Sequence, residues 1–228
     1  MTFSGKVAIV AGGSTGIGLA TALRLAQGGA RVAICSHDRA TLEPALAQLS
    51  AHGAALAVEA GVAAAAAMAG LVEKAVGAFG GVDYLVNSAG IQTYGTVVDT
   101  PEETWNRTLA VNLKGAYLAA RHAIPRMIER GGGAVVNVSS VQGLACQTNI
   151  AAYAASKGAL NALTRAMRSI TPATESGSTR SARARSTPRC SAPRPRGSRA
   201  PAPSRRRSRA GAAPTRSGGS PAPPRSPR

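Results

Sequence analysis

Lys6-Val7-Ala8-Ile9-Val10-Ala11-Gly12-Gly13-Ser14-Thr15-Gly16-Ile17-Gly18 is the stretch on which the fold turns. Its first half is a short apolar, β-rich run and reads as a buried strand. Its second half is glycine-rich. Behind it, Ile17–Gln27 carries Ile17, Ala20, Leu23 and Leu25 at helical spacing. Glycine lets a backbone turn tightly and approach a ligand closely. The helix start that follows offers unpaired N–H groups and a positive dipole end, which suit a pyrophosphate. A glycine turn alone arises by chance. One that leaves a first strand and opens a first helix is the context of a dinucleotide fingerprint. Gly12, Ser14, Gly16, Ile17 and Gly18 are therefore candidate cofactor-binding residues.

The pattern repeats outward. Arg31–Ser36, Ala54–Val58, Val82–Val86 and Ala134–Val138 read as further strands. Leu42–Leu49, Ala63–Phe79, a long stretch from Pro101 to about Arg130, and Ala151–Met167 read as helices. Strands alternating with helices predict βαβ units and a parallel sheet. The strands are continuously apolar, as expected where helices cover both faces. The fold class is α/β, a Rossmann-type doubly wound parallel sheet ending after the fifth strand and its following helix.

Charge divides the chain. Residues 1–167 carry 12 Lys+Arg against 9 Asp+Glu, whereas 168–228 carry 15 Arg and one acid, Glu175. That tail holds 11 of the 14 prolines, and Ile170 is its one large aliphatic residue. Low hydrophobicity with high charge cannot offset chain entropy, so 168–228 is expected to be disordered. Residues 1–167 can bury a core. The odd count of three cysteines, without a C-x-x-C pair, argues against a disulfide framework or a zinc site. No metal is expected. No apolar run has membrane-spanning length, and the N-terminus lacks a signal-peptide pattern. A cytoplasmic protein without membrane contact is the expectation.

Tyr153 and Lys157 lie four apart in a predicted helix and share a face. A nearby ammonium favours a phenolate, which suits tyrosine to acid/base work near neutral pH. Ser140 follows the fifth strand, at the carboxyl end of the sheet where open α/β folds bind ligands. Its hydroxyl could orient a substrate carbonyl toward Tyr153. Singly, each signal is weak: Y-x-x-x-K occurs by chance, and Ser139-Ser140 suits a strand end. Joint placement after a glycine loop is what gives them weight. Cofactor choice is read after the second strand, where an acid suits a ribose 2′-hydroxyl and a basic residue suits a 2′-phosphate. Ser36 occupies that place, with His37 and Arg39 nearby, which leans toward NADP over NAD. A register shift of two would instead make Asp38 the acid.

The sequence resembles the short-chain dehydrogenase/reductase family. The resemblance is carried by Gly12–Gly18, Asn87-Ser88-Ala89-Gly90, Val111-Asn112-Leu113, Val138-Ser139-Ser140 and Tyr153-Ala154-Ala155-Ser156-Lys157, in family order across 1–167. It implies hydride transfer between a nicotinamide and a carbonyl/alcohol substrate of ketone or 3-oxoacyl type. It implies that Tyr153 exchanges the proton, Lys157 binds the nicotinamide ribose, Ser140 holds the carbonyl, and Asn112 bulges its helix. Ser36, Val62, Asn87, Ala89 and Gly90 complete the implied cofactor set. Homo-oligomers are usual in the family. Three departures stand out: Ala11 for threonine, Ser88 for asparagine, and Gly61 where an acid would contact the adenine amine.

The family's next strand, around G-I-R-V-N-x-x-x-P-G, is missing after Met167. Shifting the codons of Glu175–Ala184 by one base permits G-I-R-V-N-A-V-C-P-G, and extending to Thr171 permits Y-A-R-D before it. The tail is therefore read as out-of-frame translation. The alternative is a catalytically inactive domain whose basic tail binds nucleic-acid phosphates. The shifted frame explains the charge without a nucleic-acid partner.

Overall fold

The apolar runs become strands because helices cover them on both sides. All five residues of β1 (Val7–Ala11) are buried. Successive residues of a strand face opposite sides of the sheet. Val7, Ile9 and Ala11 accordingly join one core cluster, and Ala8 and Val10 another. The chain continues through α1 (Gly16–Gln27), β2 (Arg31–Ser36), α2 (Arg39–Ser50), β3 (Ala55–Glu59), α3 (Ala65–Phe79) and β4 (Tyr84–Asn87). It goes on through α4 (Glu102–Leu109), a π-turn (Ala110–Lys114), α5 (Gly115–Glu129), β5 (Ala134–Val138), a 3-10 turn (Val141–Gly143) and α6 (Ala151–Met167). The computed structural model describes residues 2–168 and the backbone of β6, Arg180–Ala182. All lie within one compact unit, Met1–Ser186.

The strands are parallel in the order β3-β2-β1-β4-β5-β6. The order reverses between β1 and β4, and such a switch point leaves a crevice at the carboxyl ends of the strands. One core packs α3 and α5 on the sheet through Met68, Leu71, Leu118 and Met127. The other packs α1 and α2 through Ala22, Leu42 and Leu49.

Local features refine the sequence reading. The long helix from Pro101 is interrupted by the π-turn centred on Asn112, the residue at which the resemblance implied a bulge. Helix α2 begins at Arg39 rather than Leu42, because Asp38 caps it by accepting the Ala40 N–H at 3.0 Å. Pro44 lies within α2 and lacks the N–H that would close its turn. The sheet also gains an increment beyond the expected five strands. In β6, Arg180–Ala182 pairs in parallel with Val136–Val138, so β5 is not left as a bare edge. Backbone pairing needs no particular side chains, which is why an arginine-bearing segment can supply it. The rest of the expected tail, from 169 onward, lies outside the described residues.

Among the described residues, no helix is long and apolar enough to cross a membrane, and no group of three or more His, Cys, Asp or Glu could hold a metal. Cys35 is buried and Cys146 exposed, both free.

Candidate active site

The glycine turn is built around contacts that leave no room for a side chain. A Cβ on Gly12, whose φ is +76°, would lie 2.6 Å from Ala89 N. One on Gly13 would lie 2.6 Å from Ile34 Cγ2, and one on Gly18 would collide with Gly12 O. Gly12 and Gly13 donate their N–H groups to Cys35 O at 3.0 and 3.1 Å, fastening the turn to β2. Helix α1 follows with no side-chain cap at Thr15 and no acid in its first turn. Its leading N–H groups and dipole end are left for an external anion.

A groove of roughly 630 Å³ opens over this turn along the carboxyl ends of the strands. Gly12, Ser14, Gly16, Ile17, Ser36, Val62, Ala89, Gly90 and Tyr153 all line it. So do residues the sequence did not single out for it: Gln92, Arg107, Val138 and Ser139. Arg107 stands one helical turn before Val111, a spacing that places both on one face. The groove's described lining contains no carboxylate. Ser36 ends β2 and accepts the Asp38 N–H through Oγ at 3.2 Å, beside His37. Asp38 faces α2 as its cap, and Arg39 pairs with Glu43 at 2.9 Å. Ser36 and His37 line the groove, and Asp38 lies outside its described lining. Gly61 also lines the groove, with nothing within 4 Å of the position a Cβ would take.

Of the remaining residues singled out by sequence, Lys157, Asn112, Ser140 and Asn87 lie outside the groove's described lining, and Lys157 and Asn112 pack behind Gly90, which lines it. Tyr153 lies on α6 with the Lys157 ammonium 5.7 Å from its ring centroid. Lys157 is 5 % exposed, donates to Val138 O at 3.0 Å, and is pushed by burial down to a pKa of about 8. Gly90 makes room here, since a Cβ on it would stand 3.4 Å from both Lys157 Nζ and Asn112 Oδ1. Asn112 is buried in the π-turn. It accepts the Ile91 N–H at 2.7 Å and donates to Ile91 O at 2.9 Å and Ser156 Oγ at 3.0 Å. Ser156 in turn donates to Tyr153 O at 2.7 Å, so the π-turn, the Gly90 loop and α6 are joined beneath Tyr153.

Ser140 leaves β5 and accepts the Gln142 N–H through Oγ at 3.2 Å. That bond occupies a lone pair and leaves the hydroxyl proton free to donate. Asn87 stands apart from the groove. It is buried in the sheet, where it donates to Asn137 Oδ1 at 2.8 Å. The start of α6 is held by a loop that sequence reading missed. Gly95 and Ile150 form a parallel bridge, with Gly95 N–H donating to Asn149 O at 2.9 Å and Ala151 N–H to Gly95 O at 3.0 Å. Nothing in the local sequence marks this bridge, apart from a glycine and an asparagine at positive φ. Gln142 and Gln147 interlock beyond it, at 3.1 and 2.9 Å, and Tyr94 is exposed nearby.

The short chain dehydrogenase family model matches residues 6–174. Among curated relatives, a 2-(S)-hydroxypropyl-CoM dehydrogenase of Xanthobacter autotrophicus is 40% identical over 163 residues, covering 71% of this chain and 64% of that protein. The human dehydrogenase/reductase SDR family member 4 is 37% identical over 164 residues, covering 71% of this chain and 59% of that protein. Among solved structures, an NAD+-bound xylitol dehydrogenase superposes with a TM-score of 0.71 at 37% identity, covering 73% of this chain and 65% of that one. The chain spans between 59% and 66% of the length of the first curated relatives it matches.

Proposed function

The chain belongs to the short chain dehydrogenase family, and from that premise we propose that it is an NAD(P)-dependent oxidoreductase acting on a carbonyl/alcohol pair. One observation carries the reading: a carboxylate-free groove over an uncapped helix start runs directly to Tyr153, with Lys157 buried beside it. The side-chain-free turn at Gly12, Gly13 and Gly18 fits the close approach of a dinucleotide pyrophosphate. The nicotinamide, when bound, supplies or accepts the hydride.

The chain's own residues supply the rest. The α1 N–H groups and the glycine turn would hold the diphosphate. Ala89 and Gly90 line the groove beside the glycine turn and would flank the dinucleotide. Ser140 donates its free proton to the substrate carbonyl and orients it. Tyr153 gives or takes the proton at the substrate oxygen through its hydroxyl. Lys157 places positive charge beside the Tyr153 ring and would bind the nicotinamide ribose. Asn112 holds the Gly90 loop and α6 in register through Ile91 and Ser156.

The finer choice is NADP over NAD. An acid that would bind a 2′-hydroxyl and repel a 2′-phosphate is missing from the groove's described lining, and His37 stands at the strand end. The substrate class is a ketone, a 3-oxoacyl compound or the matching alcohol. Two relatives are named for alcohols, hydroxypropyl-CoM and xylitol. Turnover by this chain is low, because the segment after Met167 departs from the family pattern that covers the nicotinamide.

Fluorescence titration of the purified chain tests the reading. NADPH is expected to bind more tightly than NADH, and failure of both to bind overturns the function. Tyr153→Phe is expected to abolish residual ketone reduction while keeping NADPH binding and the urea midpoint. Near-normal turnover by the chain would overturn the low-activity part alone.

A further inference from the structure

Three buried side chains tie the sheet to α6. Asn87 Nδ2 donates to Asn137 Oδ1 at 2.8 Å, and Asn137 Nδ2 donates to Thr164 Oγ1 at 2.8 Å. Thr164 Oγ1 donates to Leu160 O at 2.7 Å. Their exposures are 5, 0 and 4%, respectively. The direction of the row is dictated from its helix end. The Thr164 hydroxyl commits its proton to Leu160 O, so it can only accept from Asn137. Asn137 must then turn its oxygen to Asn87. Asn87 Oδ1 is left buried without a hydrogen-bond partner among the described residues.

A polar row in this position is costly, and packing alone does not require it: apolar residues of the same volume would fill the space without desolvation. Its geometry supplies a different reason. Thr164 lies seven residues beyond Lys157, two turns along the same face of α6. Lys157 donates to Val138 O, and Thr164 accepts from Asn137, the preceding residue of β5. Consecutive β5 residues therefore grip one helix face at two points about 10 Å apart along α6. A single tie would let the helix rock about it. Two ties fix its depth and its tilt.

We propose that Asn137 and Thr164 are positioning residues that set where α6 holds Lys157 and Tyr153 against the groove. This rests on the functional reading of those two residues given above. The chain has four lysines, Lys6, Lys74, Lys114 and Lys157, so lysine-selective 13C labelling gives a titration that can be followed site by site. The wild-type Lys157 signal, identified by its loss in Lys157→Met, is expected to titrate near 8. Thr164→Val keeps the volume and removes the hydroxyl. It is expected to move the Lys157 titration upward by about half a unit or more, as a loosened helix admits water. Thr164→Ser keeps the hydroxyl and is expected to stay at the wild-type value. A folded Thr164→Val with an unmoved Lys157 titration, or equal shifts in Val and Ser variants, overturns the proposal. If the Val variant does not fold, hydrogen exchange of the Asn137 side-chain amide in the wild type decides. Slow exchange supports the row, and exchange at the solvent rate overturns it. Loss of NADPH binding by the wild type would instead strike the functional reading, a separate and distinguishable failure.

Discussion

The Lys157 ammonium is buried beneath the groove, and that burial holds its pKa near 8 against an ordinary 10.5. Below pH 8 the group is protonated in both folded and unfolded chains, and the folded state bears the whole cost of a buried charge. From pH 8 to 10.5 the folded state releases its proton while the unfolded chain keeps it. Stability from this group therefore rises across that window. The full shift corresponds to about 3 kcal/mol. Lys157→Met is thus expected to be more stable than the wild type at pH 7, by up to about 3 kcal/mol, with the advantage shrinking at pH 9.5. Urea unfolding of both proteins at the two pH values checks this; a less stable variant at pH 7 contradicts it. Cys35, raised by burial to about 11 from 9.0, works against stability above pH 9, but equally in both proteins. Tyr153, Lys157 and Ser140 were legible in sequence because their spacing and position after a strand are local signals. The partners that bury Lys157 come from β5 and the Gly90 loop, and no local pattern announces them.

At the scale of elements, Asp83 fastens three of them at the end of the sheet away from the groove. Despite the opposing cost of desolvation, its carboxylate is held below the usual range by the Val7 N–H at 2.9 Å, by Lys6, and by Arg130 from the end of α5. A depressed carboxylate contributes stability above its unfolded pKa and loses it as pH falls through the lower folded value. Asp83→Asn is expected to cost about 2–4 kcal/mol at pH 7 and progressively less toward pH 3, as read by chemical denaturation. An equal cost at both pH values would contradict the ion-pair account. On the groove side, Asn149 takes φ +63° to carry the chain into α6. Asn149→Ala is expected to cost about 1 kcal/mol, and Asn149→Gly to cost less, since left-handed backbone penalises a Cβ with no compensating side-chain bond. Thermal midpoints separate the two. The strands and helices themselves were legible, because continuous apolar runs and 3.6-residue spacing are properties of each segment alone. The π-turn at Ala110–Lys114 and the Gly95–Ile150 bridge were not derivable from those periods. Each exists to satisfy groups on another element: Asn112 bonds Ile91 and Ser156, and Gly95 accepts the first N–H of α6.

At the scale of the molecule, the chain holds a sheet whose last pairing is three residues long. Arg180–Ala182 aligns with Val136–Val138. In the shifted frame the same three codons permit Ala-Val-Cys, an apolar set better suited to lie beside two valines. We propose that a one-base insertion or deletion near codon 168 separates this chain from a more active one. Resequencing codons 160–228 checks the first part. Restoring the frame to read G-I-R-V-N-A-V-C-P-G is then expected to raise turnover by at least tenfold at equal NADPH occupancy, the effect of about 1.4 kcal/mol in the barrier. Unchanged turnover in a folded, frame-restored protein contradicts it. By itself the sequence determined the βαβ order, the glycine turn and the Tyr153–Lys157 pairing, because each depends on periodicity or spacing within one segment. It also marked the break in composition after Met167. Only the tertiary structure decided that Asp38 caps α2 and leaves Ser36 at the groove, that Lys157 is buried on Val138, and that Asn87, Asn137 and Thr164 form one row. Those outcomes depend on which groups from distant segments meet, and a buried polar group takes whichever partner the packed fold brings within reach.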